Sequence, residues 1–157
     1  MATTTPAGLI DRLRATALDL VSLVAGADAG SLRRVPAEGE WSAATVVSHL
    51  ADTELIYSVR ARLMLTSDRP WLAAFDEQLW AERFGPLDRN VRDALQRWRA
   101  LRDANVRLFG SLSEEEWGRQ GVHEERGAIT VTGLAEVMVA HDRNHLGQIR
   151  RALSEQR

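Results

Sequence analysis

The chain has no cysteine, which excludes disulfides, thiolate metal sites and a cysteine nucleophile, so any metal ligand must be His, Asp or Glu. It has no lysine either. All 20 basic side chains are arginine, which removes Schiff-base catalysis by an ε-amine and, beside the abundant alanine, reads as base-composition bias. The formal net charge is only -2. Its arginines are interleaved with acids rather than gathered into a stripe, so no nucleic-acid partner is expected. No apolar run approaches the length of a membrane span, and Met1 to Pro6 lacks the basic start and apolar core of a signal peptide. These absences lead to the expectation of a soluble, cytoplasmic protein. A chain of 157 residues suits one domain with one core, spanning 1–157.

What is present reads as helix. From Pro6 to about Val24, Leu9, Ile10, Leu13, Ala17, Leu20, Val21 and Val24 recur at three and four, and the segment should end near Gly26. Gly30, Pro36 and Gly39 make Ala27 to Trp41 a connecting loop. Ser42 is placed to cap a second helix running to about Thr66. Ser67 to Pro70 breaks the pattern, and Ala73 to Phe84 reads as a short connecting helix. Leu87 or Asp88 should open a third long helix over about Arg89 to Phe109, stopping at Gly110. Ser113 to Trp117 carries a capping-box pattern, followed by a loop from Gly118 to Gly127. Thr130 or Thr132 caps a last helix that places Leu134, Met138, His141, His145 and Ile149 on one face. Four long helices with no alternating strand pattern predict an all-α four-helix bundle, in which sites form between facing helices.

The histidines carry the chemistry. Residues four apart on a helix differ by about 40° around the axis and about 6 Å along it, so His141 and His145 can aim at one ion. His49 shares an inward face with Thr53 and Ile56 on the second helix. Three neutral imidazoles would then surround one divalent ion and leave a position open, the arrangement of a catalytic rather than a closed structural site. Imidazoles suit Zn, Ni, Cu and Fe alike, with zinc or nickel the first expectation. His141-Asp142-Arg143-Asn144-His145 is near the H-E-x-x-H pattern of zincins, but the acid is the shorter aspartate and only twelve residues follow His145. The third ligand must come from upstream.

Trp41-Ser42 followed by His49-Leu50-Ala51-Asp52, with His141-Asp142-x-x-His145-Leu146-Gly147-Gln148-Ile149 near the C-terminus, resembles the DinB/YfiT-like superfamily over nearly the whole chain. The resemblance implies an up-down-down-up bundle, often dimeric, with a divalent metal on His49, His141 and His145. It also implies an enzyme of small molecules: a metal-dependent transferase using a low-molecular-weight thiol such as bacillithiol or mycothiol as cosubstrate, or a metal-dependent hydrolase. A non-catalytic metal-binding bundle and a ligand-binding module without metal stand as alternatives. Mycothiol-dependent maleylpyruvate isomerases carry Glu where His141 stands and add a second domain, so that reaction is disfavoured.

Other residues are assigned with less chemistry. Asp52 is the candidate catalytic acid, able to orient an imidazole or move a proton, with helix pairing as its alternative. Arg60 lies about 16 Å along the axis from His49, too far to be a ligand. It reads as an arginine reaching the bundle end, or as one that holds a carboxylate or phosphate of the substrate. His123 is expected on a solvated loop. Trp41, Trp98 and Trp117 should seal helix contacts, whereas Trp80 and Tyr57 line a substrate cavity only if the short helix covers the metal. Leu63, Leu65 and Leu72 lack an obvious partner within the chain, which with the resemblance suggests a homodimer.

Overall fold

Each long helix begins where a side chain can accept its first free amides. The computed structural model describes residues 5–85 and 90–154. Thr5 caps α1 (Pro6–Ala25), whose Pro6 costs nothing at the first helical position. Asp28 caps a short α2 (Ala29–Arg33), a turn of helix inside the stretch expected to be loop. Ser42 Oγ accepts the Thr45 amide at 3.1 Å and starts α3 (Ala43–Thr66). The strand β1 (Trp71–Leu72) and α4 (Glu77–Phe84, capped by Asp76) follow. The expected helix opening at Leu87 or Asp88 lies outside the described residues, as does Arg89, and Asn90 caps α5 (Val91–Gly110). Ser113 and Glu116 form the expected capping box at α6 (Glu114–Trp117). Finally, Thr130 Oγ1 accepts the Gly133 amide at 3.0 Å at the head of α7 (Val131–Ser154).

Two apolar clusters give the direction of the four long helices. One joins Leu9 and Leu13 of α1, Tyr57, Ala61 and Met64 of α3, Phe109 of α5, and Leu134 and Met138 of α7. The other joins Leu20 and Val24, Val46 and Leu50, Ala94 and Trp98, and Leu146 and Ile149. The first halves of α1 and α7 thus meet the second halves of α3 and α5. That is an up-down-down-up four-helix bundle, with α1 against α5 and α7, and α3 against α5 and α7.

A layer of charge lies between the clusters. Arg102, 1% exposed, donates to Glu54 from Nε at 3.0 Å and Nη2 at 2.7 Å, and to Asp142 from Nη1 at 2.6 Å and Nη2 at 3.0 Å. Asn105 Nδ2 donates to Glu54 at 2.7 Å, and Thr16 Oγ1 donates to Asp142. All four long helices are therefore tied at one level. Burial alone would depress the Arg102 pKa, but the two carboxylates outweigh it and hold the guanidinium above its ordinary range.

The segment expected as loop from Gly118 to Gly127 is instead part of a small sheet. Here β2 (Gln120–His123) pairs antiparallel with β3 (Gly127–Thr130) and parallel with β1, in the register Trp71 to Val122 and Leu72 to His123. Its inner residues alternate, with Gly121 and His123 buried and Gln120 exposed, the period expected of a half-buried strand. Leu72 is 1% exposed and belongs to the core, correcting the reading that it lacks a partner. Leu65 packs against the same cluster, while Leu63 stays open on α3 beside Leu55 and Val59. A Cβ on Gly121 would stand 2.7 Å from Leu72 Cδ1 and 3.1 Å from Met64 Cγ. Gly121→Ala should therefore cost about 1–3 kcal/mol through overpacking, read as a lower urea midpoint at unchanged slope. An unchanged midpoint would show that this contact gives way freely. Among the described residues no helix is long and apolar enough to cross a membrane.

Candidate metal centre

Ser42 sets the phase of α3 so that His49 falls two turns in, facing α7. On α7 the buried stripe of Leu134, Met138, Asp142, His145 and Ile149 turns His141 and His145 toward α3. Asp142 is held at this level by Arg102, and that anchor fixes the rotation of α7 about its axis. The three rings gather accordingly, with centroid separations of 5.2 Å for His49 and His141, 4.7 Å for His49 and His145, and 4.4 Å for His141 and His145. One ring nitrogen of each lies within 4.8 Å of the others.

The protonation states suit metal ligation. Burial, then the neighbouring His145, pulls the His49 pKa down to about 4, and burial with both neighbours pulls His141 down to about 2. Burial lowers His145 as well. All three are neutral at pH 7 and offer lone pairs. Gln148 Oε1 lies 2.8 Å from His145 Nδ1 and accepts its proton, which leaves His145 Nε2 unprotonated. The Thr53 hydroxyl donates to the His49 carbonyl at 2.8 Å, so it is not spent on Nε2. His49 and His141 bring their Nε2 atoms to 3.2 Å. Two imidazole ligands on a tetrahedral ion, each at about 2.0–2.1 Å, stand about 3.3–3.4 Å apart. The donor set fits a divalent cation.

A cover lies over the rings. Trp41, from the loop before α3, sits 5.0 Å from His49 and stacks at 10° on His145 at 6.5 Å. Its Nε1 donates to Gln78 Oε1 at 3.1 Å, which ties the start of α4 above the site. That places the half-exposed Glu77 carboxylate 3.8 Å from His49 Nε2. Sequence reasoning did not find Glu77. Its signal was slight: an acid in the first turn of a connecting helix whose docking cannot be read locally. Trp41 thus covers the histidines and also packs against the second apolar cluster, while Trp98 and Trp117 are buried core as expected. Trp80 packs between Phe75 and Phe84.

Three other residues expected to matter are also placed. Asp52 lies on the α5 side, where it pairs with Arg97, the helix-pairing alternative. His123 is 7% exposed, not solvated: it ends β2, and its Nδ1 accepts the Glu125 amide at 3.2 Å. Arg60, also 7% exposed, donates from Nη2 to the carbonyl of Ala73, just after β1, at 2.6 Å.

A sequence profile described as the DinB superfamily matches residues 12–149. The chain belongs to the DinB superfamily. A protein of Oceanobacillus iheyensis is 32% identical over 119 residues, covering 74% of this chain and 67% of that protein. YfiT of Bacillus subtilis is 26% identical over 113 residues, 71% of this chain and 64% of its own. The name of each is "putative metal-dependent hydrolase". The chain thus spans about two thirds of the length of these DinB relatives. The solved structure of YfiT, described as a probable metal-dependent hydrolase with an unusual four-helix bundle topology, superposes with a TM-score of 0.87 at 22% identity. That match covers 97% of this chain and 87% of the other, and shares the DinB fold.

Proposed function

We propose that this DinB-superfamily chain is a metal-dependent hydrolase of small molecules that holds one divalent ion on His49, His141 and His145. The observation that carries the reading is the meeting of three neutral imidazoles with the half-exposed Glu77 carboxylate, 3.8 Å from His49 Nε2. The names of the relatives agree with it. A divalent ion at this place supplies Lewis-acid activation of water and of a polarised carbonyl or phosphoryl group. The protein's own residues do the rest. Gln148 holds the His145 ring in the tautomer that leaves Nε2 free, Arg102 keeps α7 in rotation through Asp142, and Trp41 with α4 limits the water that reaches the rings. Glu77 stands where it can take a proton from an attacking water and return it to the leaving group. Asp142, the acid of the zincin-like run, is unavailable for that work because both its oxygens are engaged by Arg102.

Glu77→Gln tests this reading. With p-nitrophenyl acetate as a chromogenic ester and zinc supplied, turnover should fall by about 10²–10⁴-fold while metal content stays that of the wild type. Loss of the metal together with turnover would make Glu77 a fourth ligand that closes the site, favouring a structural ion. Transfer of a low-molecular-weight thiol is the second reading. A groove of about 430 Å³ lined by Glu40, Trp41, Gln148 and Arg151 reaches His145, which gives a second substrate room beside that ring. The protein has no thiol of its own. Mycothiol and bacillithiol run beside water in the same assay separate the two reactions.

A further inference from the structure

Next to the histidines, on the side of the sheet, lies a cavity of about 60 Å³ bordered by Tyr57, Arg60, Glu77 and His123, with Glu125 and Arg126 at its rim. It holds several times the space that one water needs, about 10–15 Å³. Its walls are fixed. Glu124 accepts the Ala74 amide at 2.8 Å, and its own amide donates to the Leu72 carbonyl at 3.1 Å, so the chain after β1 is pinned to the turn between β2 and β3.

Three buried groups on this cavity have hydrogen-bond donors that the described protein does not use. Arg60 gives one bond, to the Ala73 carbonyl, and no carboxylate among the described residues lies within ion-pair distance of it. The contrast is with Arg102, which is more deeply enclosed, at 1% exposed against 7%, and has two carboxylates. A buried guanidinium with only a carbonyl for partner lacks the anion that burial ordinarily demands. His123 accepts at Nδ1, so its proton sits on Nε2, and that edge has no acceptor among the described residues. The Tyr57 hydroxyl makes no protein hydrogen bond among the described residues, and its ring stands edge-on to His141 at 5.8 Å. Burial raises the Tyr57 pKa, which keeps the hydroxyl a donor.

We propose that this cavity binds a carboxylate of the substrate, with Arg60 as its counter-ion and Tyr57 and His123 as flanking donors. The planar guanidinium fork matches a carboxylate, and the acids Glu77 and Glu125 at the border favour a singly charged group over a phosphate dianion. A substrate anchored here extends past Tyr57 toward His141, which places its reacting bond beside the three histidines. That placement rests on the metal-centre reading above; the carboxylate site does not.

The test is a titration of the full-length, ¹⁵N-labelled chain with propionate, in zinc-loaded and chelator-treated forms, following the Arg60 Nε–H and His123 imidazole resonances. Saturable shifts at both residues are expected in both forms, and none with isosteric propionamide. Arg60→Gln should weaken propionate at least tenfold while its zinc uptake stays that of the wild type. Equal response to propionamide would overturn the proposal, a result that needs no variant to fold. Wild-type propionate affinity in Arg60→Gln would overturn it too, as would inorganic phosphate saturating the same resonances at tenfold lower concentration. Propionate shifts in a chain that takes up no zinc would support the carboxylate site and count against the metal centre instead.

Discussion

Arg102→Met is expected to lower the stability of the bundle by about 3–5 kcal/mol, because removing one partner leaves Glu54 and Asp142 buried as uncompensated charges. A domain of this kind is stable by only about 5–15 kcal/mol in total, so the variant should lose much of its denaturant midpoint or fail to fold at 37 °C. Methionine fills the stem's volume and packs on Trp98, which lies 4.6 Å from the guanidinium. The loss then reports the charges rather than a void. Neutralising the stranded acids as well, in Glu54→Gln, Arg102→Met, Asp142→Asn, should recover a clear part of it. Urea unfolding of the single and triple variants decides the matter. A single variant within about 1 kcal/mol of wild type, the range of a surface pair, would mean that this layer does not hold the four helices together.

That layer also shows what the sequence withheld. The long helices were legible because apolar residues recur at three and four on each, with Ser42 as the cap of α3. The clustering of the three histidines was legible because His141 and His145 are one turn apart and His49 has an inward phase. Arg102 and Glu54 were passed over, since charged side chains are ordinarily solvated, and Asp142 was weighed only as a zincin-like acid. Yet each sits in register with a buried stripe: Ala94, Trp98, Arg102, Asn105 and Phe109 on α5, Asp142 between Met138 and His145 on α7, and Glu54 between Leu50 and Tyr57 on α3. A charge at the middle of an apolar stripe on three helices was the available sign. The sheet was missed for a different reason. Its strands are two to four residues long, too short for alternation to stand out, and the pairing of β1 with β2 brings together residues some fifty positions apart. The burial of His123 and the bond of Arg60 to Ala73, just after β1, follow from that pairing, and so does the carboxylate cavity. Glu77 depends on where α4 lies, which is fixed by the distant Trp41–Gln78 bond.

Zinc should raise the melting temperature of the chelator-treated protein by on the order of 10 °C. On the proposed ligands the ion would join α3 to α7, and so bind the folded chain far better than the unfolded one. A ligand at a thousand times its Kd adds about 4 kcal/mol, and each kcal/mol moves the midpoint of a domain this size by about 2–4 °C. Scattered histidines in the unfolded chain take back part of the gain. His141→Ala should melt near the metal-free wild type, because its ring is partly exposed and its loss opens space toward Tyr57, and zinc should leave it almost unmoved. A rise of the same size in His141→Ala would place the stabilising ion elsewhere on the protein.

The most direct measurement is the metal content of protein purified without chelator or polyhistidine tag, determined by elemental analysis for wild type and His145→Ala side by side. The arrangement of His49, His141 and His145 predicts close to one divalent ion per chain in the wild type and close to none in the variant. Equal metal in the two proteins would contradict it.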